Sequence, residues 1–487
     1  MQYVLGIDQS TQGTKAILVD EEGIIIGRAD RSHEQIINEQ GWVSHNLEEI
    51  YQNVLLAVQD VVEKTGINKD NILTIGISNQ RETTAIWEAN GKPLNKAIVW
   101  QCSRAKDIAA NLQDHADLIK KKTGLQLSPY FPAAKMTWLL KNTPGLKDIQ
   151  IKDIRLGTMD SWLIYRMTHG KFHVTDYSNA SRTQLFDIQK LCWDEEICNL
   201  FQVPMNCLPQ VHDSDSEFGE TDLEGFFTKP IPIHSALGDS HAALFGQGCH
   251  KSGMTKTTYG TGSSIMMNTG ENCVASRHGL VTSLAWGIHG KVNYVLEGNI
   301  NYTGAVITWL KDDVKLIESP AETDALAKQA KEQDQTVLIP AFSGLSAPYW
   351  CNDAKAMLYG MTRTTGRNEI VKAALNSIAL QIQAVLSAMQ KDSGMELIEL
   401  RVDGGPTRND YLMQAQSNLS QLTVAISEIE ELSALGAAYM AGISMGLYEL
   451  DTLFTANKRK YYQPDMSSEV RQQILDTWEE AISVVVK

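Results

Sequence analysis

Two short turns of glycine, serine and threonine, about half a chain apart, constrain this sequence more than any other feature. The first lies in Val4-Leu5-Gly6-Ile7-Asp8-Gln9-Ser10-Thr11-Gln12-Gly13-Thr14-Lys15-Ala16-Ile17, the second in Thr257-Thr258-Tyr259-Gly260-Thr261-Gly262-Ser263-Ser264-Ile265. Apolar or β-branched runs flank each turn, so each reads as strand, tight turn, strand. Such turns present bare backbone N–H groups and hydroxyls, which suit a polyphosphate. Two of them predict a duplicated fold that grips one nucleotide between its halves.

The rest of the chain alternates strands with helices and is α/β. At 487 residues it exceeds one ordinary core. Pattern predicts strands near 24–28, 72–78, 84–88 and 156–160, and helices near 47–64, 104–113 and 133–142. The second half predicts a hairpin at 256–268, a long helix over 369–391, a strand at 397–402, and helices near 410–419 and 432–445. The last helix carries Ala434, Gly436, Ala437, Ala438, Ala441 and Gly442, which implies that another backbone or a ligand approaches closely. The order hairpin, strands, helices occurs twice, and a border near residue 245 separates domains 1–245 and 246–487.

A net charge of −15 argues against partners that need basic surface, namely nucleic acid or an anionic membrane. No apolar run reads as a membrane helix, and no secretory signal leads the chain. Seven cysteines without C-x-x-C spacing predict free thiols in a reducing cytoplasm, with Cys192 and Cys198 in or beside a core. His169 and His173 read as a solvated pair, because Gly170 between them favours a turn.

Several side chains could do chemistry. Asp8, where the first strand enters its turn, reads either as a turn carboxylate or as the group that positions magnesium through water. Thr11, Gly13, Thr14 and Lys15 would then face the phosphates of Mg-ATP, although the P-loop pattern G-x-x-x-x-G-K-[ST] is absent. Asp239 reads as a helix cap or as a base that removes a proton from an attacking hydroxyl. His241 competes for the second role. Arg81 and Glu82 are a surface ion pair or a grip on vicinal hydroxyls, and Trp100 is core or a flat wall for a carbon skeleton.

Longer stretches carry a resemblance. Tyr130-Phe131-Pro132-Ala133-Ala134-Lys135-Met136-Thr137-Trp138 is similar to one signature of the FGGY family of carbohydrate kinases. Ala356-Met357-Leu358-Tyr359-Gly360-Met361 through Asn376 is similar to the other, with Asn376 where an acid or Gln is usual. Asn79–Thr84, Ala97–Cys102, Val174–Arg182 and Ala341–Trp350 resemble the glycerol kinase members above all. The resemblance implies two ribonuclease-H-like domains of the actin/Hsp70 ATPase type with a cleft between them. It implies ATP and Mg2+ as cofactors and a small polyol or sugar as substrate, in a homodimer or homotetramer. Arg81, Glu82, Trp100, Tyr130 and Asp239 would hold the acceptor, with Asp239 as base. Thr11, Lys15, Thr261, Gly262 and Gly304 would follow the phosphates, and Gly405 and Asn409 would meet the nucleoside.

Three positions depart from the glycerol kinase pattern. Ser240 stands for a Gln beside the base, Ser264 for a Phe opposite the Trp, and Thr308 for a Gln near the nucleotide. The first two imply a roomier, more polar pocket for a four- or five-carbon polyol or ketose. Glycerol itself, a xylulose or ribulose kinase reaction, and a nucleotide-switched interaction protein of the actin/Hsp70 type are the rival readings.

Overall fold

The computed structural model describes residues 1–455 and 458–486. Two mixed sheets carry the two halves. In the first, the strands run in the order Glu220–Thr221, Ile231–Gly238, Ile72–Asn79, Tyr3–Gln9, Gly13–Val19, Ile25–Ser32. In the second they run Val281–Ile288, Lys291–Ile300, Ser263–Gly270, Thr255–Tyr259, Leu400–Asp403, Val424–Ser427, Arg459–Tyr462. Each sheet is built on a hairpin extended on one side by an antiparallel strand and on the other by two parallel ones, with the antiparallel strands Glu220–Thr221, Val281–Ile288 and Arg459–Tyr462 added at edges. The duplication read from the two turns is a duplication of topology, and both sheets follow the ribonuclease-H-like plan.

Local sequence explains the elements. The Leu47–Thr65 helix begins where Asn46 Oδ1 accepts the Glu48 and Glu49 N–H groups, and stops at Gly66 in the left-handed region. It buries Leu47, Ile50, Val54, Val58 and Val61 against the first sheet. The Arg367–Ser393 helix does the same for the second sheet. By length and composition that helix is apolar enough to cross a membrane, contrary to the expectation from sequence, yet 72% of its apolar window is buried in the core. A smaller five-stranded sheet (Ile36–Ile37, Val43–His45, Ala97–Ile98, Thr84–Glu88, Ile154–Thr158) forms a side lobe beside the first domain.

Between the two large sheets lie the helices Asp239–Gly246 and Leu432–Ser444, packed on one another and on both sheets. Their backbones nearly touch. A Cβ on Gly436 would sit 1.9 Å from the Ala242 carbonyl oxygen, and one on Gly76 would sit 2.1 Å from that of Ala437. The small-residue stripe therefore serves backbone contact. Ser433 Oγ also donates to the Asp239 carbonyl at 3.1 Å, tying the start of one helix to the start of the other.

Three local expectations need correction. The helix near 104–113 is only a short turn of helix, Lys106–Ala110, followed by a tighter turn at Gln113–His115. Cys192 is exposed in a two-residue strand, whereas Cys198 is buried. His169 is exposed and meets Asp222 at 2.9 Å. His173 is no solvated partner to it: its ring packs edge-on to Trp87 and Tyr165, and Nε2 lies 3.0 Å from the Leu156 carbonyl. Burial pushes its pKa down to about 3, so it stays neutral.

The packing yields a prediction. Gly436→Ala should lower stability by about 1–3 kcal/mol or more, since backbone cannot give way as a flexible side chain can. Gly405→Ala, whose Cβ would meet nothing within 4 Å, should leave the urea midpoint unchanged. Equal midpoints for the two variants would contradict the packing described.

Candidate active site

Asp239 opens its helix at the C-terminal end of the Ile231–Gly238 strand, and its side chain is 35% exposed on the floor of the gap between the sheets. It is the first helical residue, not the cap: Gly238 holds that position, and Ser240 N–H donates to Asp239 Oδ1 at 2.6 Å. Arg81 Nε lies 3.3 Å from the same oxygen. Surrounding protein strips water from the carboxyl and lifts its pKa above the ordinary value, with Glu82 adding to the rise. Arg81, the Ser240 N–H and Lys256 oppose it.

Arg81 and Glu82 are not a surface ion pair. Both are buried, and each pairs crosswise. Arg81 holds Glu297 through two parallel hydrogen bonds of 2.9 Å each. Arg182 reaches Glu82 at 2.6 Å and Glu297 at 2.8 Å. Buried charges persist only when paired and hydrogen-bonded, and this set is both. It leaves two Arg81 N–H groups and one Glu82 carboxylate oxygen without a partner among the described residues, which is what a diol requires. Glu82 itself has φ of 60°, a strained setting that turns its side chain under Arg182.

A further buried polar side chain shapes the pocket. Lys135 Nζ, fully buried in the Pro132–Asn142 helix, donates to the carbonyls of Glu82 and Trp100 at 3.2 Å each and to that of Tyr130. This one side chain thus ties together three segments of the candidate acceptor site, and burial pushes its pKa down to about 7. The Trp100 and Tyr130 rings meet edge to face at 5.7 Å. Trp100 Nε1–H donates to Thr11 Oγ1 at 3.0 Å, which joins this wall to the first turn.

The second sheet faces the same gap. Cross-strand pairing puts Lys256, Thr258, Ser264, Met266, Glu297 and Asn299 on one face, because Ser264 stands opposite both Thr258 and Asn299. Ser264 Oγ is buried and has no hydrogen-bond partner among the described residues. Lys256 Nζ donates to Thr258 Oγ1 at 2.9 Å. His241 points away from the gap, toward Ser283 Oγ at 3.3 Å. Burial and then Arg81 hold its pKa well below the ordinary value.

At the other end, both turns close on themselves: Ser10 N–H donates to the Gly13 carbonyl, and Gly260 N–H to that of Gly262, each at 2.8 Å. Asp8 is buried, and Ser78 Oγ donates to its Oδ1 at 2.8 Å. Burial raises its pKa to about 7, against the Ser78 bond, with Asp239 adding to the rise and Lys15 lowering it. A cation beside it would hold it ionised, and its second oxygen has no hydrogen-bond partner among the described residues, so the site fits hydrated magnesium. Lys15 Nζ binds Glu431 at 2.8 Å. Thr14 is a correction: its side chain lies on the opposite face, buried, so only its backbone can reach a phosphate.

Two adjoining cavities continue from there. One, of about 560 Å³, runs from Lys15 to Gly405 and Arg408. The next, of about 810 Å³, is lined by Gly304, Ile307, Thr308, Leu375, Gly405 and Asn409 among others. Thr261 stitches this region together, since its carbonyl accepts the Thr303 and Ala305 N–H groups at 2.9 and 3.0 Å. Asn409 lines the cavity, but its side chain already caps the Asp410–Ser420 helix and donates to Thr323.

Sequence reasoning missed Glu297, Arg182, Lys135 and Lys256 as members of the site. Glu297 offered a signal, an acid inside the apolar run Val295-Leu296-Glu297-Gly298. Lys135 and Arg182 lay within stretches already singled out, without an assigned role. Lys256 offered none.

Comparison with known proteins follows the same lines. Residues 3–246 match the N-terminal domain of the FGGY family of carbohydrate kinases, and residues 255–445 match its C-terminal domain. The chain is 44% identical to a glycerol kinase of Oceanobacillus iheyensis, covering 99% of this chain and 97% of that one. It is 43% identical to glycerol kinase 2 of Thermotoga maritima, at 99% and 98% coverage. A Plasmodium falciparum glycerol kinase solved with ADP superposes with a TM-score of 0.94 at 35% identity, over 100% of this chain and 99% of that one.

The Lys135 tripod is open to test. Lys135→Met should cost about 1–3 kcal/mol in urea denaturation, because three inward-facing carbonyls lose their donor. No loss of stability would mean that the tripod does not hold these segments.

Proposed function

The chain belongs to the FGGY family of carbohydrate kinases, and from that premise we propose that Asp239 is the general base for phosphorylation of a terminal primary hydroxyl. The protein is an ATP-dependent phosphotransferase with an alcohol group as acceptor, acting on a small polyol or sugar. The observation that carries the reading is the half-exposed Asp239 carboxylate, held by Arg81 on the floor of a gap whose far end leads to Asp8 and the two turns. Residues 1–245 would supply the acceptor site and the first phosphate turn, and residues 246–487 the nucleotide cavity. Seven free thiols support a reducing, cytoplasmic setting.

In this reading Trp100 and Tyr130 wall the carbon skeleton, while Arg81 and Glu82 grip neighbouring hydroxyls. Asp239 accepts the proton of the primary hydroxyl as its oxygen bonds to the γ-phosphorus, and the bond to ADP breaks in line. Thr11, Gly13, Lys15, Thr261, Gly262 and Gly304 would follow the phosphates, with Thr308, Gly405 and Asn409 nearer the nucleoside. Magnesium, positioned by Asp8 through water, would neutralise phosphate charge. Catalysis comes mainly from placement and charge stabilisation.

The acceptor we favour is a four- or five-carbon polyol or ketose. Ser240 and the unpartnered Ser264 hydroxyl put small polar groups where a glycerol-sized pocket has a large wall. Glycerol is the second reading, favoured by the identity to glycerol kinases over nearly the whole chain.

Three measurements bear on this reading. Asp239→Asn should keep ATP-analogue binding and lose about 10²- to 10⁴-fold in kcat; near-normal turnover would remove Asp239 from the mechanism. In the wild type, kcat/KM for the acceptor should fall about tenfold per pH unit below an acid limb lying above the ordinary Asp value, because a protonated Asp239 cannot accept the proton. A coupled assay over C3 to C6 polyols and ketoses decides the acceptor, and Ser264→Phe should swing preference toward glycerol by about tenfold or more. Wild-type turnover far better on glycerol than on every longer compound would overturn the enlarged-pocket reading.

A further inference from the structure

Glu297 comes from the Lys291–Ile300 strand of the second sheet, whereas Arg81, Glu82, Arg182 and Asp239 all come from the first half. Its carboxylate is fully buried and uses both oxygens. Oε1 accepts from Arg81 and from Asn299 Nδ2, while Oε2 accepts from Arg81 and Arg182. Two of the three partners lie across the junction between the halves. Arg81 meets Asp239 through Nε at 3.3 Å while one N–H of each terminal nitrogen is held by Glu297.

We propose that Glu297 is a positioning residue for phosphoryl transfer: it fixes the Arg81 guanidinium from the opposite half, so the acceptor site is complete only when the two halves sit in this relation. The inference rests on the reading of Asp239 and Arg81 as acceptor-site residues. Without Glu297, the Arg81 fork is free to turn onto Asp239 and grip it with two parallel bonds, the arrangement guanidinium and carboxylate prefer. That turn would engage the base and withdraw the Arg81 N–H groups from the diol. The nucleotide cavities share no lining residue with this cluster, so nucleotide binding is left alone.

Glu297→Gln keeps the volume and removes the charge. It should raise KM for the acceptor and lower kcat, each by about 10- to 100-fold, as a misplaced binding group does. KM for MgATP should stay within about twofold of wild type. A double-mutant cycle with Arg81→Met separates positioning from general damage: if Glu297 acts through Arg81, adding Glu297→Gln to Arg81→Met changes acceptor KM little further. If Glu297→Gln does not fold, Glu297→Asp carries the same test, being one methylene too short to span both guanidinium groups.

Unchanged acceptor KM, an equal loss for both substrates, or additive effects in the cycle would each overturn the proposal. Failure of the underlying reading looks different, since Asp239→Asn would then turn over near normally whatever Glu297 does.

Discussion

The near-contact of two helix backbones between the sheets is the constraint on which the rest of the structure depends. Gly436 lies against Ala242 so closely that a single methyl group would not fit, and Gly76 lies as tightly against Ala437. This contact fixes the helix that begins with Asp239 and brings a helix from the end of the chain onto the first sheet. It also closes the base of the gap, so two separately folded sheets share one floor. Polar groups can then converge there from both sides without each sheet having to supply a whole site.

What converges is a nearly balanced set of charges. Arg81 and Arg182 pair with Glu82, Glu297 and Asp239 at 2.6–3.3 Å, and Lys256 is buried near enough to feel Arg81, Glu297 and Asp239 electrostatically. Breaking such a buried set by removing one member leaves another charge uncompensated, which is why its geometry is stiff. Asp239 differs from the others in keeping part of its surface open to the gap. In the reading proposed above, that difference between a locked carboxylate and an accessible one separates scaffold from chemistry. The adjoining cavity adds apolar lining to this polar cluster, through Ile307 and Leu375.

Much of this was legible in the sequence because it is local. Alternating apolar residues around glycine and threonine give both hairpins, and a strand running into Gly238-Asp239 places an acid at a strand end. The stripe of alanine and glycine at 434–442 announced close approach before any partner was visible. Pairings over long sequence separation were not legible. Arg81 and Glu297 are 216 residues apart, and Lys15 and Glu431 are 416 apart, so no spacing rule connects them. The orientation of Thr14 was lost for another reason: in a hairpin, alternate residues face opposite sides, and only the register decides which side meets the gap. His173 was misread because its aromatic neighbours Trp87 and Tyr165 come from separate elements.

The most direct measurement is a crystal structure with a non-transferring ATP analogue, magnesium and the preferred acceptor. The account predicts the primary hydroxyl within hydrogen-bond reach of the Asp239 carboxylate and in line with the γ-phosphorus, with Arg81 still clasped by Glu297. An acceptor hydroxyl bound away from Asp239, or phosphates lying outside the space between the two turns, would contradict it.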